Sequence, residues 1–288
     1  MELQWPLILF TTFMAWSAGL FATQGICALR GEGAKVQMKA LIVSLILLVV
    51  GGIAVFFHLQ HWERIFNGFG HLTSGITQEL IAIVVMVVVM VIMFAYLRRT
   101  ANDPHIPKWV SVLAIVTAII LVVACGHSYM MPSRPAWNSV FEVLSLVGAA
   151  CILGPSTFIL LMKKGEEGKT ITMSVLVGSI VNIVLAVAYL ASMNFAEYTE
   201  FDATYFDPTS PTSGMIDVSS LSPFSGDALV FSVLVIAGAA VSVVAAILGK
   251  KGQNWRVWGG TALVAALVSA ICLRVVFYVL GVSVFAFY

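Results

Sequence analysis

Eight long runs with almost no charged side chain constrain this sequence more than any other feature. Residues 3–29, 40–57, 80–97, 109–131, 171–196, 228–249 and 257–273 carry no Asp, Glu, Lys or Arg, and 136–162 is interrupted only by Glu142. Roughly 20 apolar residues in an α-helix, rising about 1.5 Å each, cross the hydrocarbon core of a bilayer, and a helix satisfies its own backbone hydrogen bonds without water. A transmembrane β-barrel requires short segments of alternating polarity, and the sequence has none. Of the 288 residues, 60% are hydrophobic and 10% charged, whereas about a quarter are charged in a soluble domain. The mean hydropathy is +1.00. The sequence therefore predicts an all-α integral membrane protein. It forms one membrane domain over 1–288, with helices at about 6–29, 39–58, 76–97, 109–131, 137–162, 170–194, 227–249 and 255–280 and a long loop at 195–226. No basic residue precedes the first run, which is longer than the roughly 7–15 residues of a signal-peptide core, so it counts as the first helix.

Charge sets the expected orientation. Arg30, Lys35, Lys39, Arg98, Arg99, Lys108, Lys163, Lys164, Lys169, Lys250, Lys251 and Arg256 fall in alternate connections, which an up-and-down bundle places at one end. That leaves only Arg64, Arg134 and Arg274 of the fifteen basic residues. Basic loops are retained in the cytoplasm, so both termini are expected outside, N-out and C-out. The 195–226 loop then lies outside as well. It carries Glu197, Glu200, Asp202, Asp207 and Asp217 without a basic residue, which suits a docking cap or a solvated connector equally. A short echo between "WPLILFTTFMAWSAGLFA" and "WNSVFEVLSLVGAACILG" fits two four-helix halves; chance similarity between apolar helices is the simpler explanation.

Other classes are disfavoured. The net charge of +1 gives no footprint for nucleic acid, and no P-loop, GxSxG or HExxH pattern occurs. Cys27, Cys125, Cys151 and Cys272 are isolated within spans, without CxxC or Cys/His spacing. They are read as packing residues, and neither a zinc site nor an iron–sulfur cluster is indicated.

An ionisable residue within a span is costly and marks a functional candidate. On the expected topology His58 ends helix 2, Glu79 begins helix 3, and His127 and Tyr129 lie in the last turns of helix 4. Glu142 lies in the first two turns of helix 5, and Arg274 is about 25 Å along helix 8. All share the outer layer, and the inner half of the spans has no Asp, Glu, Lys, Arg or His. A proton or ion route across the bilayer normally needs such groups or a water-lined path, so the chemistry is expected on one side only.

"HLQHWERIFNG", residues 58–68, gathers the most polar groups of that layer. A histidine beside a carboxylate such as Glu79 can accept a proton and hydrogen-bond a ligand oxygen, which suits an apolar two-electron, two-proton carrier, a quinol. Bland readings stand beside this one. His61 and His71 are ordinary loop residues, His105 lies in a cytoplasmic loop, Arg64 and Arg134 anchor at headgroups, and Arg274 snorkels outward. Trp5, Trp62, Trp137, Phe277 and Tyr278 form an interfacial belt.

The stretches "ELQWPLILFTTFMAWSAGLF", "HLQHWERIFNGF", "TQEL", "RPAWNSVF" and "RVVFYVLG" resemble the membrane anchor subunit of dimethyl sulfoxide reductase over essentially the whole chain. The most specific match is His58, Leu59, Arg64, Phe66 and Asn67; His61, Trp62 and the long acidic loop depart from the family pattern. The resemblance implies an anchor in the cytoplasmic (inner) membrane that oxidises menaquinol and carries no haem of its own. Its implied partners, on the outer face, are a four-cluster iron–sulfur electron-transfer subunit and a molybdopterin catalytic subunit that performs the terminal reduction. It also implies a quinol site with His58 and Glu79 as proton-handling residues and Arg64, Phe66, Tyr129 and Arg274 as further contacts. Two alternatives remain from the residues alone. One is a haem b anchor clasped by His58 and His127. The other is a permease, for which Asn182, Gly51 and Gly52 give only faint support.

Overall fold

In the computed structural model the chain is described over residues 3–58, 71–100, 105–197, 221–252 and 254–283. The eight α-helices among the described residues are α1 (Trp5–Leu29), α2 (Gln37–Phe56), α3 (Gly75–Arg99), α4 (Lys108–Ser128), α5 (Val140–Leu161), α6 (Lys169–Asn194), α7 (Ala228–Gly252) and α8 (Trp255–Val279). Each is long and apolar enough to cross a membrane, and there is no strand among the described residues. Helix α5 begins three residues later than the sequence predicts. Pro132 and Pro135 disfavour a helical approach, and Ser139 caps the helix by accepting from the Phe141 N–H at 3.2 Å.

Contacts at the two ends establish the up-and-down arrangement. At the basic end, Lys35 pairs with Glu166 at 2.9 Å. Glu32 accepts from the Thr170 and Ile171 N–H groups at 2.8 and 3.1 Å, placing a carboxylate on the N-terminus of α6 where unpaired donors and the helix dipole favour it. The turn into α2 uses Gly33 at φ +68°, with the Phe158 ring lying 2.6 Å from where a Cβ would stand. At the opposite end, His58 meets Gln4, Ser128 meets Glu79, and Trp137 meets Phe277.

The packing repeats. In the first half α1 packs on α2 and α4, and α3 packs on α4; in the second, α5 packs on α6 and α8, and α7 on α8. Contact between α2 and α3 is slight, and its counterpart between α6 and α7 is fuller. Two four-helix halves thus follow one plan.

The halves meet chiefly where α1 crosses α5. A Cβ on Gly19 would stand 2.2 Å from the Ala150 carbonyl oxygen, and one on Gly154 would stand 2.2 Å from the Gly19 carbonyl carbon. Lipid supplies no hydrophobic drive for helix association, so such backbone approach through small residues, with its dense van der Waals contact, is what holds the helices together. Polar pairs add to it within the first half: Ser17 and Ser44 each donate to the other's carbonyl, at 2.7 and 2.9 Å. Gly51 packs beside Phe13 of α1, whereas nothing lies within 4 Å of a Cβ on Gly52.

Candidate functional site

The buried ionisable groups gather at the end of the bundle opposite the basic loops. Glu79, in the second turn of α3, is 6% exposed. Its Oε2 accepts from the Ser128 hydroxyl at a long 3.5 Å, and its Oε1 is buried without a hydrogen-bond partner. Cys125 and Ser128 are spaced i, i+3 on α4 and so share a face. The Cys125 thiol adjoins the same carboxyl. Tyr129, the cap residue of α4, stands within electrostatic reach of Glu79, Cys125 and Tyr278.

On the α5–α8 side, Arg274 donates to the Glu142 carboxylate and, at 2.5 Å, to the Ser145 hydroxyl. The two charged side chains are 3% and 0% exposed. Arg274 therefore does not snorkel outward: its partner lies on the neighbouring helix, deep between α5 and α8. A second Glu142 oxygen, Oε2, is buried without a protein donor. Below Arg274 a cavity of about 10 Å³ is bounded by Asn182, Ser145 and Ser269, and the Asn182 Nδ2 is buried without a protein acceptor.

Aromatic rings roof this cluster. Trp137 stacks on Phe277 at 4.3 Å and its indole N–H donates to the Phe277 carbonyl at 2.7 Å. Tyr129 meets Phe277 edge-on at 5.9 Å, and Tyr278 lies edge-on to Trp137 at 5.6 Å. Arg134 sits over Trp137 and Arg274 over Phe277, at 4.5 and 5.1 Å from the ring centres. Arg134 also donates to the Gly281 carbonyl. Trp137, Phe277 and Tyr278 are thus buried and not the interfacial belt expected from sequence; Trp5, half exposed, remains in a belt position. The Tyr278 hydroxyl, which adjoins Tyr129, is a fourth buried polar atom of this region without a hydrogen-bond partner.

The sequence candidates separate accordingly. Glu79, Tyr129 and Arg274 belong to one buried network at a single end of the bundle. His58 is exposed, and its Nδ1 lies 3.1 Å from Gln4 Oε1. Among the described residues, no hydrogen bond joins His58 to Glu79. Arg64 and Phe66, with the rest of 59–70, lie outside the described residues. His127 is exposed, about 200° around α4 from Cys125, and so turns away from the network. The residues that sequence reasoning left out of the site are Glu142, Ser145, Ser128, Cys125, Trp137 and Tyr278. Glu142 and Arg274 were findable, as opposite charges at one depth with no other partner in their spans.

Fold and site together define a multi-pass helical membrane protein whose buried charged side chains, among the described residues, lie at one end of the bundle. A comparison with curated proteins returns no match. The family model for the DMSO reductase anchor subunit (DmsC) matches residues 1–280, and the chain belongs to that family. It is a membrane anchor subunit of a DMSO reductase-type complex, and such a subunit implies partner catalytic and electron-transfer subunits.

Proposed function

We propose that this anchor oxidises menaquinol at the end of the bundle that holds Glu79, Tyr129, Tyr278 and Arg274, with that end facing outward across the cytoplasmic membrane. The observation that carries the reading is the Glu79 carboxyl: it is buried near the membrane surface with Oε1 unpartnered, beside the Cys125 thiol and the Tyr129 phenol. A buried acceptor atom without a donor costs about 1–3 kcal/mol, and a quinol hydroxyl supplies the missing donor. Glu79 then takes a hydroxyl proton and releases it at the near surface, the role of a general base. The unpartnered Tyr278 hydroxyl can donate to the second quinol oxygen. Arg274, neutralised by Glu142, keeps a fixed dipole beneath the ring site. His58, with Arg64 and Phe66 in the neighbouring connection, serves at the entrance, His58 passing protons on toward water.

Menaquinol loses two electrons and two protons to become menaquinone. The electrons leave to a four-cluster iron–sulfur subunit on the outer face and on to a molybdopterin catalytic subunit, which performs the terminal reduction. Protons are released and electrons consumed on the same side, so the reaction moves no net charge across the membrane. The confinement of ionisable groups to one end supports this one-sided chemistry over a permease.

The test uses membranes containing the whole complex. Turnover driven by a menaquinol analogue is compared with turnover driven by reduced viologen, which feeds the partner subunits directly. Glu79→Gln is expected to lower quinol-driven turnover by about 100-fold or more with viologen-driven turnover intact. Unchanged quinol-driven turnover would overturn the assignment.

A further inference from the structure

A large cavity lies away from this network, at the seam between the two halves. It has a volume of about 820 Å³ and is walled by α1, α4, α5 and α6, two of which, α4 and α6, make at most slight contact with each other. Small or apolar side chains line it, among them Ala18, Ala22, Ala118, Val147, Cys151 and Val177. Pro155, also on its wall, has no N–H to give the Cys151 carbonyl four residues earlier, and that carbonyl faces Gly178, where a Cβ would stand 1.9 Å away.

Three properties of the cleft select its occupant. The first is depth. The lining runs from Ala18 to Arg30 on α1 and from Lys169 to Val181 on α6, roughly 18 Å on either wall at about 1.5 Å per residue. One leaflet of a hydrocarbon core about 30 Å thick spans roughly 15 Å. The second is closure. Toward the polar end α4 and α5 come together, a Cβ on Gly126 standing 2.7 Å from the Val143 Cα, and the cleft ends short of that contact, at Val122 and Val147. The third is charge. Arg30 and Lys169 stand at the basic mouth, both exposed, and neither is in an ion pair among the described residues.

The geometry points to a resident anionic phospholipid, with an acyl chain in the cleft between α4 and α6 and its phosphate between Arg30 and Lys169. An apolar slot one leaflet deep with two cations at headgroup level matches such a lipid in length, polarity and charge. By lying between the halves, the lipid fills the part of the seam that α1 and α5 leave open.

The test uses the complex purified in mild detergent, stripped of lipid and titrated with phosphatidylglycerol or phosphatidylethanolamine, with bound lipid counted by native mass spectrometry. One phosphatidylglycerol per anchor is expected, held in preference to phosphatidylethanolamine. Arg30→Gln with Lys169→Gln should weaken it by about thirty-fold, and Arg30→Lys with Lys169→Arg should restore it. Val147→Phe, which narrows the slot without touching the cations, should weaken both lipids. Each variant is first required to elute as an intact complex of unchanged Tm. Equal affinity for the two lipids, undiminished phosphatidylglycerol in the double Gln variant, or recovery of quinone in place of phospholipid would overturn the proposal.

Discussion

Arg274 of α8 and Glu142 of α5 form an ion pair in which neither side chain meets solvent, with Ser145 holding a second guanidinium nitrogen. The pair joins two helices of the second half at the depth of the aromatic roof. It is a device of specificity more than of net stability, because removing two charges from water offsets most of their attraction.

Removing one partner leaves the other unpaired. Arg274→Met should therefore destabilise the folded anchor by about 3–5 kcal/mol, and Glu142→Leu by a similar amount. The double variant should recover most of that loss. Thermal melting of the detergent-solubilised complex reads all three, and additive losses in the double variant would count against the pairing.

Glu79→Gln separates chemistry from architecture. The amide keeps the size of the carboxyl and the hydrogen bond from Ser128, so assembly and Tm should be unaffected while quinol-driven turnover collapses. His58→Arg probes the entrance. Because His58 is exposed and bonded to Gln4, its variant should lower quinol-driven turnover less than Glu79→Gln does.

The α1/α5 crossing tolerates no side chain. Gly154→Ala places a methyl 2.2 Å from backbone that cannot rotate away, and should cost about 1–3 kcal/mol as overpacking. Gly52→Ala, with open space around it, should be neutral or slightly stabilising by helix propensity. Comparing the two Tm values distinguishes a packing effect from a general effect of removing glycine from a span.

At the basic end, the hydrogen bond from Lys35 holds the Glu166 carboxyl below its ordinary range. A depressed folded pKa contributes stability above the unfolded value, and loses it as pH falls through the folded one. The contribution should thus fade only below the ordinary carboxylate range near 4.3. Lys35→Gln should move the Glu166 titration back toward that range, followed by carboxylate infrared absorption, with no measurable change in Tm at neutral pH because the pair is exposed.

Helix number and depth were legible in the sequence because the bilayer imposes length and polarity directly. Which way a side chain faces was not. Lipid and protein interior are both apolar, so periodicity does not separate Phe57, which is exposed, from Phe277, which is buried. For the same reason Trp137 and Tyr278 read as interfacial belt, although they pack inside the site. Charge escapes this ambiguity: Glu142 and Arg274 have nowhere favourable to point except toward each other.

The repeated packing also bears on biosynthesis. Contacts within α1–α4 close among helices adjacent or nearly adjacent in the chain, so the first half can assemble in the membrane while the second is still being translated. Helix α5 emerges next and is the one that seats against Gly19. The order of synthesis therefore delivers the joining helix to a finished surface, and α6–α8 fold back onto α5 afterwards.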